Sequence, residues 1–435
     1  MPEISKKITG EMTIPSLVMA KLKKEINNIP AFKDKIEKSL NEEVTKILEI
    51  IFGGAINLET SDIHFEPSEE ETKIRLRVDG VLQDVVLLKR KIYESLLSRI
   101  KLLSGLKLNI TDRPQDGRFS IITDESVIEI RTSSLPSEHG ESIVLRLLNP
   151  KSLIEIEDLG LREDLLLTIK EEIKKPNGMI IITGPTGSGK TTTLYAFLKK
   201  IARPEIKIIT IEDPIEYHLE GISQTQVAPE KGYDFASGLK SIMRQDPDVI
   251  LVGEIRDLET VQIAIQAALT GHLVFTTLHT NDAAGTVARL QALGEKSINI
   301  APAINMVVAQ RLVRKICPKC TIFEKISAQE LLKMKKELEG IPKKIRISSL
   351  VEGIKIPKAK GCSYCNFTGY RKRIGIFEVL LVDEEIKKFI LTNPSIGSLK
   401  EKAIKKGMIT LKQDGFLKVL KGITTIEEVE RVTGE

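Results

Sequence analysis

The spacing of apolar residues changes near residue 160 and divides the chain into two patterns. In the first pattern, apolar residues at helical spacing over 41–56 predict a helix with Asn41 as its N-cap. Asp79-Gly80 separates two strand-like runs and is a strong signal for a hairpin. The other elements are predicted at 63–65, 73–78, 81–87, 92–104, 119–122, 126–130 and 142–147. We therefore expect one α+β domain over residues 41–149.

The second pattern alternates apolar strands with helices, which is typical of a parallel α/β sheet. The predicted strands are 179–183, 207–211, 249–252 and 273–277. The predicted helices between them are 191–201 and 258–269. An acidic linker, 150–160, precedes this domain, and short helices with exposed Lys and Glu are expected over 381–435. We interpret the Lys-rich residues 1–40 as a short N-terminal extension, either a helical element or the remnant of a further domain.

The composition is that of an ordinary globular protein. Of 435 residues, 29% are charged and 41% are hydrophobic, which excludes a mainly disordered chain. The net charge of +5 gives no support to a polyanion-binding protein. No apolar run approaches the roughly 20 residues of a membrane span, and the N-terminus lacks the apolar segment of a secretory signal. We therefore expect a cytoplasmic protein with reduced cysteines.

A Gly-rich segment follows the first strand of the second pattern. Residues 179–194 read MIIITGPTGSGKTTTL and contain G-x-x-x-x-G-K-T between a strand and a helix, as a phosphate-binding loop requires. The loop N–H groups and Lys190 are expected to bind phosphates, and Thr191 to bind Mg²⁺. A Gly-rich turn that binds nothing is the alternative, and the strand–loop–helix setting disfavours it. The predicted nucleotide-binding residues are Gly184, Pro185, Thr186, Gly187, Ser188, Gly189, Lys190, Thr191 and Thr192.

Acidic residues and a histidine follow three other strands of this pattern. Because ligands bind at the carboxyl edge of open α/β sheets, Glu212 and Glu254 are expected beside the loop. We assign Glu254 to ordering the water on Mg²⁺, and Glu212 to aligning or deprotonating the attacking water. Caps or solvated turn residues are the alternative. His279 is expected at the γ-phosphate, with a structural role as its alternative. His272, just before the strand that precedes His279, is a weaker candidate for the site, and His139 and His218 are expected to be structural or at the surface.

All four cysteines fall into two pairs of identical spacing. Cys317-x-x-Cys320 and Cys362-x-x-Cys365 predict four thiolates arranged tetrahedrally around Zn²⁺. A redox pair or free buried thiols are the alternatives, and neither explains two identical spacings. Between the pairs, residues 321–360 carry ten Lys and Arg against five Glu. We interpret this basic insert either as a surface for acidic partners or anionic lipid headgroups, or as a solvated segment.

Three segments together resemble the secretion ATPase superfamily, whose members drive type II secretion, type IV pili and related machines. They read GPTGSGKTTTLYAFL, TIEDPIEYHLEGISQTQV and RQDPDVILVGEIRDLETVQIAIQAALTGHLVFTTLHTNDA. The resemblance covers residues 41–435 and implies an α/β protein that binds ATP, Mg²⁺ and Zn²⁺. Its implied parts are a PAS-like α+β domain over 41–149, the linker 150–160, a RecA-like P-loop ATPase core over 161–316, a tetracysteine zinc subdomain over 317–380 and a C-terminal helical segment over 381–435.

The resemblance also implies a homohexamer. In such a ring, Arg118 and Arg131 of one subunit would complete the neighbour's ATP site as arginine fingers, and Arg146 is a further candidate. Retraction ATPases generally lack the cysteine pairs, so an Mg-ATP-hydrolysing motor for secretion or pilus assembly is expected, peripherally associated with the inner membrane. Only residues 1–40 precede the PAS-like domain, fewer than in assembly-type relatives, so we expect direct contact with a polytopic platform protein.

Three other functions stay open at this point: a pilus-retraction ATPase, a nucleic-acid-translocating motor and a nucleotide-binding switch without turnover. Aromatic residues are only 4% of the chain and Trp is absent. This composition argues against a groove in which bases stack on aromatic side chains, so no specific nucleic acid is expected.

Overall fold

Two compact units make up the described part of the chain. The computed structural model describes residues 10–150, 153–342, 345 and 350–434. The N-terminal unit contains the chain up to the linker together with Cys317–Thr321 and Ala359–Arg371, and the C-terminal unit contains the rest. Both cysteine turns thus belong to the N-terminal unit, whereas the sequence pattern groups them into one segment, 317–380.

A seven-stranded sheet is the framework of the N-terminal unit. Its strands are β1 Glu11–Thr13, β2 Asp62–Pro67, β3 Glu71–Val78, β4 Val81–Lys89, β5 Gln115–Thr123, β6 Ser126–Ser137 and β7 Gly140–Leu148. The strand order is β1-β5-β6-β7-β2-β3-β4. Only the pairing of β1 with β5 is parallel among these neighbours. The helices of this unit are α1 Ser16–Glu25, α2 Ile29–Ser39, α3 Val44–Asn57 and α4 Arg90–Leu103.

The hairpin predicted at Asp79-Gly80 is confirmed. Strands β3 and β4 pair in antiparallel fashion on either side of it. Asp79 has a φ of 51° and Gly80 a φ of 82°, so both turn residues lie in the left-handed region that tight hairpin turns require. Burial alternates strictly along β3, which turns one face of the strand towards the core.

Residues 10–40 are an integral part of this unit rather than a separate extension. Strand β1 extends the sheet at β5, and Phe32 and Ile36 of α2 lie fully buried in the same core as α3. A Cβ at Gly54 of α3 would overlap the Phe32 ring. Lysines interrupt the apolar positions of this segment, which is why its sequence does not reveal the packing.

The predicted N-cap at Asn41 is wrong. Helix α3 begins at Val44, and its N-cap position is taken by Glu43, whose side chain makes no capping bond. The chain is still in the turn that follows α2 at this point, because the Glu42 N–H donates to the Ser39 carbonyl.

The C-terminal unit is built on a second seven-stranded sheet. Its strands are β8 Gly178–Thr183, β9 Ile208–Glu212, β10 Ser223–Gln226, β11 Val249–Val252, β12 Leu273–Leu278, β13 Ile304–Ile316 and β16 Tyr370–Leu381. Strands β14 Thr321–Lys325 and β15 Lys355–Ala359 form a separate pair, and the main order is β10-β9-β11-β12-β8-β13-β16. The helices are α5 Glu163–Glu172, α6 Lys190–Ile201, α7 Phe235–Ile242, α8 Leu258–Leu269, α9 Ala283–Ala292, α10 Ser297–Ala303, α11 Ala328–Glu337, α12 Glu384–Ile390, α13 Ile396–Lys405, α14 Leu411–Leu420 and α15 Ile426–Thr433.

The central strands of this sheet are parallel and buried on both faces. Strands β8, β9, β11 and β12 pair in parallel, and every residue in them is buried. Along β8, Met179 and Ile181 join one apolar cluster, whereas Ile180 and Ile182 join another. Burial on two faces explains why these strands read as unbroken apolar runs, and the predicted parallel α/β sheet is confirmed.

The basic insert between the cysteine pairs is partly neutralised by ion pairs. Lys358 contacts Glu330 and Glu427, each at 2.7 Å, and Lys333 contacts Glu430 at 2.6 Å. Three of its basic residues lie outside the described residues: Lys343, Lys344 and Arg346. Both interpretations of the insert stay predictions.

A substitution at Gly54 tests the packing of the N-terminal helices. Gly54→Ala places a methyl group into the Phe32 ring, so we expect a loss of about 1–3 kcal/mol in the free energy of unfolding from overpacking. Gly397→Ala in α13 is the matched control, because its Cβ would meet only Ser395 Oγ, at 4.0 Å. Thermal unfolding of both variants measures the difference. Equal melting temperatures for Gly54→Ala and the wild type would contradict this packing.

Candidate active site

The loop between β8 and α6 has the backbone geometry of a phosphate cradle. Gly184, Gly187 and Gly189 have φ angles of 150°, 76° and 85°. A Cβ at Gly184 would lie 2.5 Å from the Gln310 carbonyl oxygen, so only glycine fits there. Helix α6 begins at Lys190. The free N–H groups and the positive end of the helix dipole therefore face the loop.

The side chains of the loop point back onto it. Lys190 Nζ donates to the carbonyls of Gly184 and Pro185, at 2.9 and 3.1 Å. Burial lowers the pKa of Lys190, while the charge of Glu254 raises it. Ser188 Oγ is buried and has no hydrogen-bond partner among the described residues. An unsatisfied buried hydroxyl in such a loop fits a site that receives a polar ligand.

The remaining predicted loop residues follow from this arrangement. Thr191 and Thr192 occupy the first turn of α6, and Thr186 is exposed in the loop. The hydroxyl-bearing Thr191 is therefore at the loop end where a cation beside phosphate would be bound.

Glu254 and His279 meet at the carboxyl edge of the sheet. His279 Nε2 lies 3.4 Å from Glu254 Oε2, although the two residues follow different strands, β11 and β12. The other carboxylate oxygen of Glu254 accepts a hydrogen bond from Arg256. Arg256 also lies 3.8 Å from Asp213 Oδ2, so this one guanidinium joins the ends of β9 and β11. Sequence reasoning missed Arg256 and Asp213, although each lies within two residues of a predicted acid.

Glu212 lies in a buried polar network. Its side chain is 4% exposed and accepts hydrogen bonds from Thr210 Oγ1 at 2.6 Å, from Gln224 Nε2 at 3.2 Å and from the Tyr195 hydroxyl. Burial raises the pKa of Glu212, and the bonds from Thr210, Tyr195 and Gln224 oppose this shift. Tyr195 belongs to α6, so the network connects this carboxylate to the helix that follows the loop.

Two further residues beside the loop come from β13. Gln310 Oε1 accepts a hydrogen bond of 2.7 Å from Thr193. Arg311 donates to the carbonyls of Gln310 and Asn281 at 3.1 and 2.9 Å, and burial lowers its pKa. Nothing in the local sequence marks these residues, because their place depends on the pairing of β13 with β8.

Three other histidines have local neighbours or are exposed. His272 Nδ1 is 3.1 Å from the Ala267 carbonyl at the start of β12, His218 is exposed, and His139 lies 4.0 Å from Glu138 in the N-terminal unit. The roles of these three histidines stay predictions.

Three candidate fingers form a row in the N-terminal unit. Arg118 pairs with Arg131 across β5 and β6, and Arg131 pairs with Arg146 across β6 and β7. The next position in the row is Asp62, which is 4% exposed and accepts a 2.9 Å hydrogen bond from Arg146 Nε. Directly opposed like charges destabilise a sheet. Arg131 Nε also lies 3.7 Å from Glu129 Oε1, and the row of three arginines is a candidate anion site.

The four cysteines converge on one point in the N-terminal unit. Their sulfur atoms lie within 4.8 Å of one another, and three Sγ–Sγ distances are 3.9, 3.7 and 3.7 Å. Four thiolates at the usual Zn–S distance in a tetrahedron are about 3.8 Å apart. All four thiols are free rather than disulfide-bonded. The cluster thus fits a tetrahedral metal ion.

The comparisons with known proteins can be set beside this geometry. Residues 37–431 match the family described as "Type II/IV secretion system protein". The chain belongs to this family. Type II secretion system protein E of Aeromonas hydrophila is 43% identical over 409 residues, which cover 94% of this chain and 79% of that protein. The type IV pilus assembly ATPase PilB of Thermus thermophilus is 41% identical over 440 residues, covering 98% of this chain and 48% of that protein.

Solved structures of similar fold include the pilus retraction motor PilT with bound ADP. It is 27% identical, has a TM-score of 0.59, and the match covers 88% of this chain and 96% of that one. The ATPase DotB of Legionella pneumophila, at 22% identity and a TM-score of 0.64, covers 89% of this chain and 95% of its own, and shows a likeness of fold alone.

Membership in the family confirms the resemblance predicted from the sequence, and with it the α/β fold class and the prediction of a secretion ATPase. In the described ranges, no helix is both long and apolar enough to cross a membrane.

The buried position of Glu212 predicts how stability depends on pH. Because burial raises its pKa, its contribution to stability is complete below the unfolded pKa of about 4.3 and is lost as pH rises through the folded value. Glu212→Gln cannot ionise. The difference between its melting temperature and that of the wild type should therefore shift in favour of the variant as pH rises. Thermal unfolding at several pH values measures this, with the exposed Glu220→Gln as the control. A difference that does not change with pH would contradict the assigned burial.

Proposed function

We propose that this ATPase acts as a homohexameric motor, hydrolyses Mg-ATP and powers the assembly of a pilus or pseudopilus through a polytopic inner-membrane platform protein. The observation that carries the proposal is the meeting of the loop lysine, Glu254 and His279 at one sheet edge. The relatives above 40% identity, named for type II secretion and for pilus assembly, support the process it serves.

The loop residues are assigned to holding the nucleotide. Backbone N–H groups of Gly184–Thr192 and the start of α6 would bind the phosphates, and Lys190 would exchange its carbonyl partners for the outer phosphates. Thr191 would hold Mg²⁺, which neutralises charge on the transferring phosphoryl group.

The acids and the histidine are assigned to the attacking water and the γ-phosphate. Glu254 would order water on the metal, with His279 and Arg256 as its neighbours in the site. Glu212 would align or deprotonate the nucleophile, and burial, which raises its pKa, makes it a stronger base than an exposed carboxylate.

The arginine row is assigned to the ATP site of a neighbouring subunit. Arg118 and Arg131 would act there as arginine fingers, with Arg146 beside them and oriented by Asp62. Three arginines on neighbouring strands offer planar, multidentate donors of the kind that bind the phosphates of another chain.

Assembly or secretion is favoured over retraction by the four clustered cysteines, which fit Zn²⁺. The likeness of fold to PilT keeps a retraction ATPase as the second candidate. Membership in the family gives no support to a nucleic-acid motor. The proposed location is the cytoplasmic face of the inner membrane, with the protein peripherally attached.

Mixing two inactive variants tests the shared active site. Lys190→Ala should lose activity in its own site, whereas Arg131→Ala should lose it in the neighbour's site. Equimolar mixed rings should recover up to about a quarter of wild-type hydrolysis, because that share of random interfaces carries both intact residues. Phosphate release by the mixture measures this recovery. The control is each variant mixed with wild-type protein at the same total protein concentration.

Two results would contradict the assignment. If Arg131→Ala alone hydrolyses ATP at the wild-type rate, the finger role is excluded. If mixed rings form, as shown by a tagged variant, and stay inactive, Lys190 and Arg131 do not serve the same interface.

A further inference from the structure

The second cysteine turn contacts the beginning of helix α2. Asn366 Oδ1 accepts a hydrogen bond of 2.8 Å from the Ile29 N–H, across 337 residues of sequence. Ile29 is the first residue of α2, and both residues belong to the N-terminal unit. Asn366 directly follows Cys365, which is one of the four clustered cysteines.

This contact completes the cap of α2. The first N–H groups of a helix have no partner within the helix. Asn28 Oδ1 accepts from the Ala31 N–H at 2.8 Å, and residue 30 is a proline, which has no N–H. The Ile29 N–H is therefore the first-turn donor that Asn28 does not bind, and it donates to Asn366 instead. Ile29 is also buried. An N–H group buried without a partner is strongly unfavourable.

The cysteines determine the conformation of the turn that presents Asn366. Asn366 and Phe367 have φ angles of 51° and 60°, so two consecutive residues other than glycine are left-handed. That conformation is unfavourable for a bulky residue and needs support from its surroundings. The support comes from Cys362 and Cys365: the Phe367 N–H donates to the Cys362 carbonyl at 2.9 Å, and the Gly369 N–H donates to Cys365 Sγ at 3.2 Å.

A metal ion bound by all four sulfurs would hold this turn at both ends. Cys362 Sγ and Cys365 Sγ are 3.7 Å apart, and each also approaches a sulfur of the first pair. Without the ion, the turn would keep its backbone hydrogen bonds, such as that from the Phe367 N–H to the Cys362 carbonyl, but its link to the first cysteine pair would consist of weak thiol contacts only. Side chains around a metal site are commonly held in place by its ligands, and metal binding stabilises the fold around it.

We propose that Asn366 is a positioning residue through which the four-cysteine metal site holds helix α2. Metal loading therefore sets the order of the N-terminal helices, because α2 packs through Phe32 against Gly54 of α3. The proposal rests on the fit of the four cysteines to a metal ion and is independent of ATP hydrolysis.

Hydrogen exchange of the full-length, zinc-loaded chain tests the proposal. The reporter is a peptide that contains residues 29–32, and the reference is a peptide from α13 in the C-terminal unit. Asn366→Gly keeps the left-handed turn and removes the Oδ1 acceptor. It should retain zinc, as measured by metal analysis, and exchange on the order of tenfold faster in the reporter peptide only.

Two further variants separate the cap from the metal. Asn366→Asp keeps an acceptor oxygen, and a negative charge is favourable at a helix N-terminus, so protection should be retained. Cys362→Ser should lose zinc and lose protection in the reporter peptide. Wild-type protein treated with a chelator should also lose protection in the reporter peptide and recover it when Zn²⁺ is added back. This chelation experiment tests the metal dependence even if the Cys362→Ser variant fails to fold.

The proposal is overturned by either of two results. One is zinc-loaded Asn366→Gly with wild-type exchange over residues 29–32. The other is zinc-free wild-type chain, folded by the α13 reference, that keeps full protection there.

Discussion

Parallel hydrogen bonding among β8, β9, β11 and β12 determines where the candidate catalytic groups of the C-terminal unit lie. Each strand is buried on both faces, so a slip of one residue would exchange the side chains of the two apolar clusters. The register is therefore fixed, and the strands end at a common edge. The loop after β8, Glu212, Glu254 and His279 all follow or end strands of this sheet, so the strand packing brings them to that edge.

At that edge, the charged groups are balanced by one another. Glu254 has Arg256 at one carboxylate oxygen and His279 at the other, and Lys190 is satisfied by carbonyls of its own loop. Each of these charged groups therefore has a partner within the site. Glu212 differs, because its partners Tyr195, Thr210 and Gln224 are neutral and the burial is deeper.

The sequence predicts those features whose signals are local. The glycine spacing of 184–191, the Asp79-Gly80 turn and the apolar strands are such signals, and each corresponds to an element of the structure. Arg311 and Asn366 could not be found in this way, because their neighbours are set by strand pairing and by a contact between residues 337 positions apart. Residues 10–40 were misjudged for a related reason: their apolar side chains form a recognisable packing surface only once α3 is beside them. The roles of the individual site residues stay predictions.

Repeated turnover is the central claim, because a phosphate-binding loop alone also suits a nucleotide-dependent switch. The measurement that decides is phosphate release from excess ATP by the purified chain, with Mg²⁺ and then with Mg²⁺ chelated. The arrangement of Lys190, Glu254 and His279 predicts many phosphates released per chain, and release that stops when Mg²⁺ is removed. Release that ends at one phosphate per chain or fewer, with nucleotide still bound, would contradict the account of the protein as a motor.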